Sequence, residues 1–513
     1  MDSMNANEAA GNGWEGTRRK LEDLFVLIEE AARGARSVHQ VEELVWESLL
    51  FLGWLLVEQF IALSGDGDEG EWLPGQDGRR LRRLPTRHRR PYRSMFGEHC
   101  LERVVYGTRE GQRIEAVPLD ERLRLPAGKY SYALQQVSQE LATQMPFEAV
   151  SKTLEGLLGQ RIPVDSLEQG NRQLADSVEA FWNELSPPPP KEEGPILVVS
   201  ADHKGVPMRR EAGEASAQPV LAVKQPSEVG LRPGTKKMAH LGVVYSIEPF
   251  VRTPEDIVAA LFRDPSAEEE ASAKRPRPAH KRVRGCLLRD EDGTTATQTE
   301  TLFGWLGAEV AARNPQGKKP TCVLMDGGRD LWDNGAAVHL PAGTIPILDL
   351  IHPLGYLWDA AGVFFNSTGD SARQFVRERV LRILQGEVLS VVQGLRIMAG
   401  RHALSDHKRE RLRSICAYFE NNAARMDYAR YLAAGYPICS GVIEGACRHV
   451  VVDRMECSGM RWVMSGAQAM LGLRTVQISG LWGDFMAAHI AAEGQRLYPG
   501  AAANDSSFMD KAA

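Results

Sequence analysis

Two short apolar runs, each ending on an aspartate, constrain the fold of this chain most strongly. Residues 196–202 read ILVVSAD and residues 321–326 read TCVLMD. Continuous apolar runs of this length, rich in β-branched residues, are typical of strands that are buried on both faces of a sheet. Three further segments carry a similar signal, at 240–249, 282–288 and 344–352. The pattern predicts a mixed α+β or α/β core in which acids lie at strand ends.

Helical spacing of apolar residues dominates other parts of the chain. Residues 14–64, 131–184 and 374–434 repeat apolar side chains every three or four positions, as amphipathic helices do. In the second of these segments, predicted helices at 147–158 and 167–185 flank a turn, which is the pattern of a possible helix-turn-helix. Such patterns also arise by chance in helical domains. Two interpretations of this segment are therefore open: a DNA-binding helix-turn-helix, and a helical domain that has this pattern by chance.

Composition places the chain among ordinary soluble proteins. It has 513 residues, of which 43% are hydrophobic and 25% charged, and its formal net charge is −6. These values suit several domains, and they require that nucleic-acid binding come from local basic patches. The seven cysteines form no CxxC pair and the first residues show no signal-peptide pattern, which predicts a reducing cytoplasmic location. The neighbours Cys439, Cys447, His449 and Cys457 match no common zinc spacing, which favours inert thiols.

The most apolar run of the chain lies at 41–63. Four glutamates interrupt it: Glu42, Glu43, Glu47 and Glu58. Acids at that density argue against a membrane span, so no membrane partner is expected. We interpret the run as a buried pair of helices that breaks near Gly53.

A cluster of basic residues follows at 78–93. Its sequence, GRRLRRLPTRHRRPYR, contains eight arginines and no acid. Pro85 and Pro91 argue against a regular helix. Two interpretations stay open, a solvated charged surface and an extended arm that lies along DNA phosphates. Residues 96–114 then predict a short β-hairpin.

Three acids have a context that favours catalysis. Asp202 and Asp326 each end a predicted strand, and Glu444 begins a predicted helix. In α/β folds, sites assemble at the carboxyl ends of strands and at helix starts. Carboxylates brought together repel each other unless a cation lies between them, and two Mg²⁺ ions about 4 Å apart support phosphodiester chemistry. Taken singly, each aspartate is more simply a cap for the next helix or turn.

Residues 435–462 give Glu444 a basic setting. Small residues flank this acid, Arg448 follows it one helical turn later, and Arg454 and Arg461 come further along the segment. Small residues let a polyanion approach closely, and arginines bind its phosphates. Surface ion pairing is the alternative role for these cations. The candidate DNA contacts are Lys204, Arg448, Arg454 and Arg461.

These motifs resemble those of DDE transposases of the ISKra-type insertion-sequence family. The matching segments are SADHKGVPM at 200–208, RTPEDIV at 252–258, VLMDGGRDLW at 323–332, ILDLIHPLGYLW at 347–358 and the whole of 435–462. The segment PLDERLRLP at 118–126 and the helical block after it also look like the N-terminal part of that family. The resemblance covers most of the chain from residue 95 onward.

The resemblance implies an RNase H-like catalytic core whose DDE triad is Asp202, Asp326 and Glu444. The triad would hold two Mg²⁺ or Mn²⁺ ions, cleave double-stranded DNA at the element's terminal inverted repeats and join it to target DNA. A homo-oligomer on DNA, in the nucleoid of a bacterial cytoplasm, is implied as well. The alternatives are a catalytically inactive or domesticated DNA-binding protein derived from such a transposase, and an unrelated metal nuclease.

Asp349 competes with Asp326 for the place of the second acid. In related transposases a DxxH element follows the catalytic strand, so we interpret Asp349 and His352 as supporting groups and Asp326 as the ligand. The sequence departs from the family where Gly, Glu and Glu are expected, at His203, Gly328 and Gly355. None of these changes removes a proposed metal ligand.

The predicted domain organisation has a catalytic core in two parts. Residues 1–94 are an N-terminal helical region with an Arg-rich arm, 95–186 a helical DNA-binding domain and 187–195 a Pro-rich linker. The core comprises 196–359 and 435–495, interrupted by an all-helical insertion at 360–434, and 496–513 are a disordered tail. The insertion accounts for the long separation of Asp326 from Glu444.

Overall fold

The computed structural model describes residues 14–75, 78–109, 114–209, 236–263, 275–287, 297–365 and 369–499. Within these ranges the protein is a mixed α+β molecule with three β-sheets and many helices. Two compact units are present: one runs to Leu174 and resumes at Gly483, and the other is Ala175–Trp482. The predicted linker at 187–195 lies inside the second unit, and the predicted domain boundaries stay predictions.

The first unit begins with two packed helices, α1 (Trp14–Arg33) and α2 (Val38–Leu63). Helix α2 runs unbroken through Gly53, where the Phe96 ring lies so close that an added Cβ would sit 2.5 Å from it. It is long and apolar enough to cross a membrane by length and composition alone, and 6% of its most apolar stretch is buried. The prediction of a buried helix pair broken near Gly53 is therefore wrong, because ring packing offsets the roughly 1 kcal/mol helix cost of glycine.

The Arg-rich segment forms strands. β1 (Trp72–Pro74), β2 (Arg80–Arg83) and β5 (Tyr106–Gly107) make an antiparallel sheet, and β3 (His88–Ser94) pairs with β4 (Gly97–Arg103). The hairpin thus starts before the predicted 96–114. Its arginines have acidic partners: Arg79–Glu115, Arg83–Asp68, Arg87–Asp66, Arg89–Glu102 and Arg90–Asp120. The segment is therefore folded into strands, and the choice between a solvated charged surface and a phosphate-binding arm stays a prediction.

A helical block completes the first unit. It contains α3 (Pro118–Arg122), α4 (Tyr132–Gln144), α5 (Phe147–Leu158) and α6 (Val164–Ala175). Helix α5 has its predicted bounds and ends at Gly159, whose φ of +64° suits glycine. The second predicted helix, 167–185, is divided between α6 and α7 (Val178–Glu184). The helix α17 (Trp482–Leu497) returns the chain to this unit, and residues 500–513 of the predicted disordered tail lie outside the described residues.

The second unit is built on a five-stranded mixed sheet. Its strands are β6 (Ile196–Pro207), β7 (Lys236–Ile247), β8 (Ala279–Cys286), β9 (Thr321–Met325) and β10 (Ile345–Leu348). The spatial order is β10-β9-β6-β7-β8. The first three strands are antiparallel neighbours, whereas β9 runs parallel to β6 and β10 parallel to β9. All five strands predicted from the sequence are present.

Helices cover the sheet. Leu197, Val199 and Ala201 pack on one face against α9 (Gln298–Arg313), which α8 (Pro254–Phe262) precedes. The odd residues of β6 therefore face this core, and the even residues Ser200 and Asp202 face the other side. The remaining helices are α10 (Ile351–Phe364), α11 (Asp370–Leu384), α12 (Val388–Arg401), α13 (Asp406–Asn422), α14 (Tyr428–Ala433), α15 (Gly441–Cys447) and α16 (Met464–Ile478).

The predicted strand at 344–352 is shorter than expected. β10 ends at Leu348, and α10 has already begun at Ile351. Pro353 and Gly355, which weaken helix starts, lie in the first turns of α10. Proline is tolerated there because the first turn of a helix needs no backbone donor at that position.

Candidate functional site

Asp202 lies on β6 with both carboxylate oxygens in hydrogen bonds. Oδ1 accepts from the backbone N–H of His203 at 2.7 Å, and Oδ2 accepts from the thiol of Cys447 at 3.4 Å. Cys447 is the last residue of α15, the short helix that carries Glu444. The thiol therefore connects the strand of the first predicted acid to the helix of the third.

Glu444 lies one helical turn before Cys447. Residues three apart on a helix are surface neighbours, so Glu444 approaches the same side of the sheet as Asp202. Burial raises the pKa of the Cys447 thiol, and the negative charges of Asp202 and Glu444 raise it further. Asp202 and Glu444 thus both raise the pKa of the buried Cys447 thiol. The Ser440 hydroxyl donates to Glu444 Oε1 at 3.3 Å, and the glutamate itself is exposed.

Asp326 follows the last residue of β9 directly. The register of β6 and β9 pairs Leu197–Val199 with Thr321–Val323, and the same register continued for three residues would set Asp202 opposite Asp326. Adjacent strands are about 4.8 Å apart, and residues in register point to the same face. Asp326 Oδ1 accepts from the Gly328 N–H at 3.0 Å. Asp326 therefore follows a strand that neighbours the strand of Asp202, although Asp202 lies in the middle of β6, which continues to Pro207, and not at its end as predicted.

Asp349 is fully buried and holds the Glu444 segment in place. Its Oδ1 accepts from the Ser440 N–H at 2.7 Å. Its Oδ2 accepts from the Ile351 N–H and lies 3.1 Å from His352 Nδ1. These bonds fasten the start of α15 to the end of β10. The choice of Asp326 over Asp349 as the second metal-holding acid stays a prediction.

His352 is half-exposed beside this cluster. The hydrogen bond to Asp349 raises the His352 pKa above its ordinary 6.5, burial opposes this, and the charges of Asp326 and Asp202 add to the increase. Asp202, Asp326 and Asp349 therefore all raise the pKa of the His352 imidazole.

The His352–Asp349 pair makes stability depend on pH. Because the folded state binds the His352 proton more tightly than the unfolded state does, the stabilisation is fully present below the unfolded pKa of about 6.5 and is lost as pH rises through the higher folded pKa. We expect the free energy of unfolding of wild type relative to His352→Asn to fall over that window, as measured by urea denaturation. A flat difference would contradict the pairing.

Tyr418 is a residue of the predicted helical insertion that lies beside the segment after Asp326. It lies on α13, its ring stacks on Tyr356 with centroids 4.0 Å apart, and a Cβ added to Gly327 would lie 2.6 Å from it. Among the described residues, its buried hydroxyl has no hydrogen-bond partner. Burial raises the Tyr418 pKa, as do Tyr356, Asp326 and Asp349. Sequence analysis missed Tyr418 because nothing in its helical context distinguishes it from a packing residue.

Both acid-bearing segments continue into π-helical turns. Leu331–Ala336 follows Asp326, and Arg448–Val452 follows Glu444. The π-helical geometry is rare in proteins and occurs frequently at functional sites. The Trp332 indole N–H, in the first of these turns, donates to the Asp326 carbonyl at 2.5 Å. The turn thereby fixes the backbone that presents Asp326.

The four predicted DNA contacts have different surroundings. Lys204 is half-buried near Cys447, Arg461 is exposed, and Arg448 is exposed with Asp453 3.5 Å away. Arg454 is fully buried, lies 5.1 Å from the Trp462 ring centroid and donates to Met460 Sδ. A guanidinium in that position does not reach a phosphate, so Arg454 is removed from the candidate set. Trp462 is buried as well.

The ligand atoms of the acid cluster are hard oxygens, as Mg²⁺ and Mn²⁺ prefer. Over the described ranges, no three His, Cys, Asp or Glu side chains form a group that could hold a metal ion. Mg²⁺ is usually held by one or two carboxylates, with waters and substrate phosphates completing its shell. The paired strands of Asp202 and Asp326 fit that requirement. The cysteines considered for zinc have separate contacts, since Cys447 donates to Asp202 and Cys457 to the Asp453 carbonyl.

We compared the chain with families of known proteins and with curated proteins. A scan of the chain against models of protein families finds no match, and a search of curated proteins finds no significant relative.

Proposed function

We propose that the protein is a metal-dependent DNA transposase that cleaves and joins DNA through Asp202, Asp326 and Glu444. One observation carries the proposal: Asp326 directly follows the strand that neighbours the strand of Asp202, and the Cys447 thiol on the Glu444 helix donates to Asp202. Acids gathered in this way repel one another unless a cation neutralises them. The resemblance to ISKra-type transposases supplies the reaction class.

The sheet supports an RNase H-like interpretation of this unit. Three antiparallel strands are followed by two strands parallel to the first, in the order β10-β9-β6-β7-β8. This is the arrangement expected of an RNase H-like core. Five helices separate β10 from α15, which agrees with a helical insertion before the third acid.

The roles of the side chains follow from their positions. Two Mg²⁺ ions held by Asp202, Asp326 and Glu444 would activate the attacking oxygen and stabilise the leaving oxygen. Lys204, Arg448 and Arg461 bind backbone phosphates and align the scissile bond. In cleavage, water adds to phosphorus, the P–O3′ bond breaks, and the products are a 3′-OH and a 5′-phosphate. In joining, that 3′-OH attacks a target phosphodiester and displaces another 3′ oxygen.

A strand-transfer assay tests the proposal. Purified protein is incubated with Mg²⁺, target plasmid and duplexes made from the DNA that borders its coding region, where the proposal expects inverted repeats, beside Glu444→Gln. We expect joined product from wild type and none from the variant. Binding to the ends without product would identify a DNA-binding derivative instead, and cleavage of any duplex without joining would identify a nuclease.

Cys447 is expected to orient the Asp202 carboxylate. Cys447→Val removes the donor to Oδ2 at similar volume, and we expect the Mg²⁺ concentration for half-maximal cleavage to rise about 10-fold, as loss of an outer-shell partner typically causes. Cys447→Ser keeps a donor and should stay within about two-fold of wild type on the same scale. A Mg²⁺ titration of the cleavage rate measures both. Equal titration curves for the Val variant and wild type would remove the orienting role.

A further inference from the structure

The end of helix α13 packs against the loop that follows Asp326. Tyr418 contacts the start of this loop, because a Cβ added to Gly327 would be 2.6 Å from the tyrosine ring. The same ring stacks on Tyr356, with centroids 4.0 Å apart. Only a glycine at position 327 leaves room for this close approach. The ring therefore restricts the first part of the loop.

Arg425 contacts a later part of the same loop. It lies in a short helical turn directly after α13, and its guanidinium carbon is 4.3 Å from the Trp332 ring centroid. The arginine side chain is only 26% exposed, and loss of water strengthens the attraction between a cation and the face of an indole. The Trp332 indole N–H in turn donates to the Asp326 carbonyl at 2.5 Å. Arg425 is thus connected to the backbone of Asp326 through one side chain.

Asn422 joins these two contacts. It is buried, its Nδ2 donates to the Tyr418 carbonyl at 2.9 Å, and its Oδ1 accepts from Arg425 Nη1 at 3.1 Å. Asp333 holds the guanidinium less firmly, because its carboxylate is 65% exposed and lies 4.0 Å from Arg425. Tyr418, Asn422 and Arg425 therefore form one bonded group, which we call the α13 clamp.

We propose that the α13 clamp positions Asp326 for cation binding and that Arg425 is a positioning residue of the site. Gly327 and Gly328 give the loop wide backbone freedom, so the Asp326 carboxylate depends on contacts from outside the loop to keep one position. The clamp belongs to the predicted insertion at 360–434, which in this way acts on the site itself. The inference rests on the proposed role of Asp326 as a cation ligand.

A Mg²⁺ titration of single-turnover DNA cleavage tests Arg425. Arg425→Ala removes the guanidinium from Trp332, and we expect the half-saturating Mg²⁺ concentration to rise about 10-fold, as loss of an outer-shell partner typically causes. Arg413→Ala is the matched control, since Arg413 is 72% exposed on the same helix beside Glu410. The control should stay within about two-fold of wild type, because exposed pairs contribute little. Equal titration curves for Arg425→Ala and wild type would overturn the proposal.

A double-mutant cycle distinguishes positioning from general packing. Trp332→Phe keeps a ring beside Arg425 but removes the N–H that holds the Asp326 carbonyl. Because Arg425 acts through that N–H, Arg425→Ala should raise the half-saturating Mg²⁺ concentration by less than about three-fold in the Trp332→Phe protein. Effects of the two substitutions that simply multiply would contradict the route through Trp332.

Variants of Tyr418 test the other contact of the clamp. Tyr418→Phe keeps the ring and removes a hydroxyl that has no hydrogen-bond partner among the described residues, so it should titrate within about two-fold of wild type. Tyr418→Leu removes the ring from Gly327 and should raise the half-saturating Mg²⁺ concentration about 10-fold. A wild-type curve for Tyr418→Leu would exclude this residue from the clamp.

Hydrogen exchange of the full-length protein tests the clamp without cleavage. The Gly328 amide donates to Asp326 Oδ1 at 3.0 Å, so its exchange rate reports how often the loop opens. We expect Arg425→Ala to exchange this amide at least about 10-fold faster than wild type, and Arg413→Ala to exchange it at the wild-type rate. Unchanged exchange in Arg425→Ala would reject the clamp. Faster exchange in that variant, together with a wild type that cleaves no DNA, would leave the clamp standing and reject the proposed function.

Discussion

Asp202→Asn is expected to lower the rate of Mg²⁺-dependent DNA cleavage by at least about 1,000-fold. A carboxylate that holds a catalytic cation supports several kcal/mol of transition-state stabilisation, and a loss of about 4 kcal/mol corresponds to this factor. The asparagine amide has nearly the same shape as the aspartate carboxylate but carries no charge. It therefore binds the cation poorly while it still fills the space of the side chain. Single-turnover cleavage of labelled duplex measures the effect.

The fold of the Asp202→Asn protein should survive. An asparagine oxygen can still accept from the His203 N–H, and the position is only half-buried. We expect the free energy of unfolding to change by less than about 1 kcal/mol. The matched control is Asp333→Asn, a carboxylate 65% exposed in the π-helical turn after Asp326, which should cleave at the wild-type rate. Equal rates for Asp202→Asn and wild type would reject the proposed site.

The sequence predicted the five strands of the second unit and the position of Asp326 directly after one of them, but Asp202 lies in the middle of β6 and not at a strand end. Apolar runs such as 196–202 and 321–326 can be stable only when buried on both sides, so their place at the sheet centre follows from composition. The adjacency of β6 and β9, which brings Asp202 and Asp326 to neighbouring strands, depended on the strand pairing, because register is a property of two segments and not of either one. The sequence could therefore predict that the two aspartates lie on strands of one sheet, but not which strands are neighbours or in which register they pair.

Other features depend on contacts between segments distant in the chain. The thiol of Cys447 reaches Asp202 across 245 positions, and Ser440 reaches Asp349 across 91. Neither residue type signals such a partner by itself. Arg454 was misplaced for the same reason, since an arginine in a basic segment is usually solvated but here packs on Trp462. The helical periodicity of α2 was visible in the sequence, yet the exposure of its apolar residues was not, because apolar residues are expected inside.

Measurements of stability and of activity can show whether Asp326 or Asp349 is the second metal-holding acid. Asp349→Ala is expected to lower the free energy of unfolding of the second unit by about 3–5 kcal/mol. The variant leaves the Ser440 and Ile351 N–H groups without their buried acceptor, and each such loss costs about 1–3 kcal/mol. Release of the His352 bond adds to the total. Urea denaturation followed by tryptophan fluorescence measures the change, and hydrogen exchange at the Ser440 amide locates it.

Matched substitutions complete this test. Asp359→Ala, which removes a carboxylate 45% exposed and paired with Arg411, should cost less than about 1 kcal/mol. Asp326→Asn should leave stability nearly unchanged and reduce cleavage as severely as Asp202→Asn does. Asp349→Asn retains an acceptor for Ser440, so we expect partial stability and measurable cleavage. If Asp349→Asn were instead stable and inactive while Asp326→Asn remained active, the second metal-holding carboxylate would be Asp349. The bonds from Ser440 and Ile351 would then have to open when the cation binds.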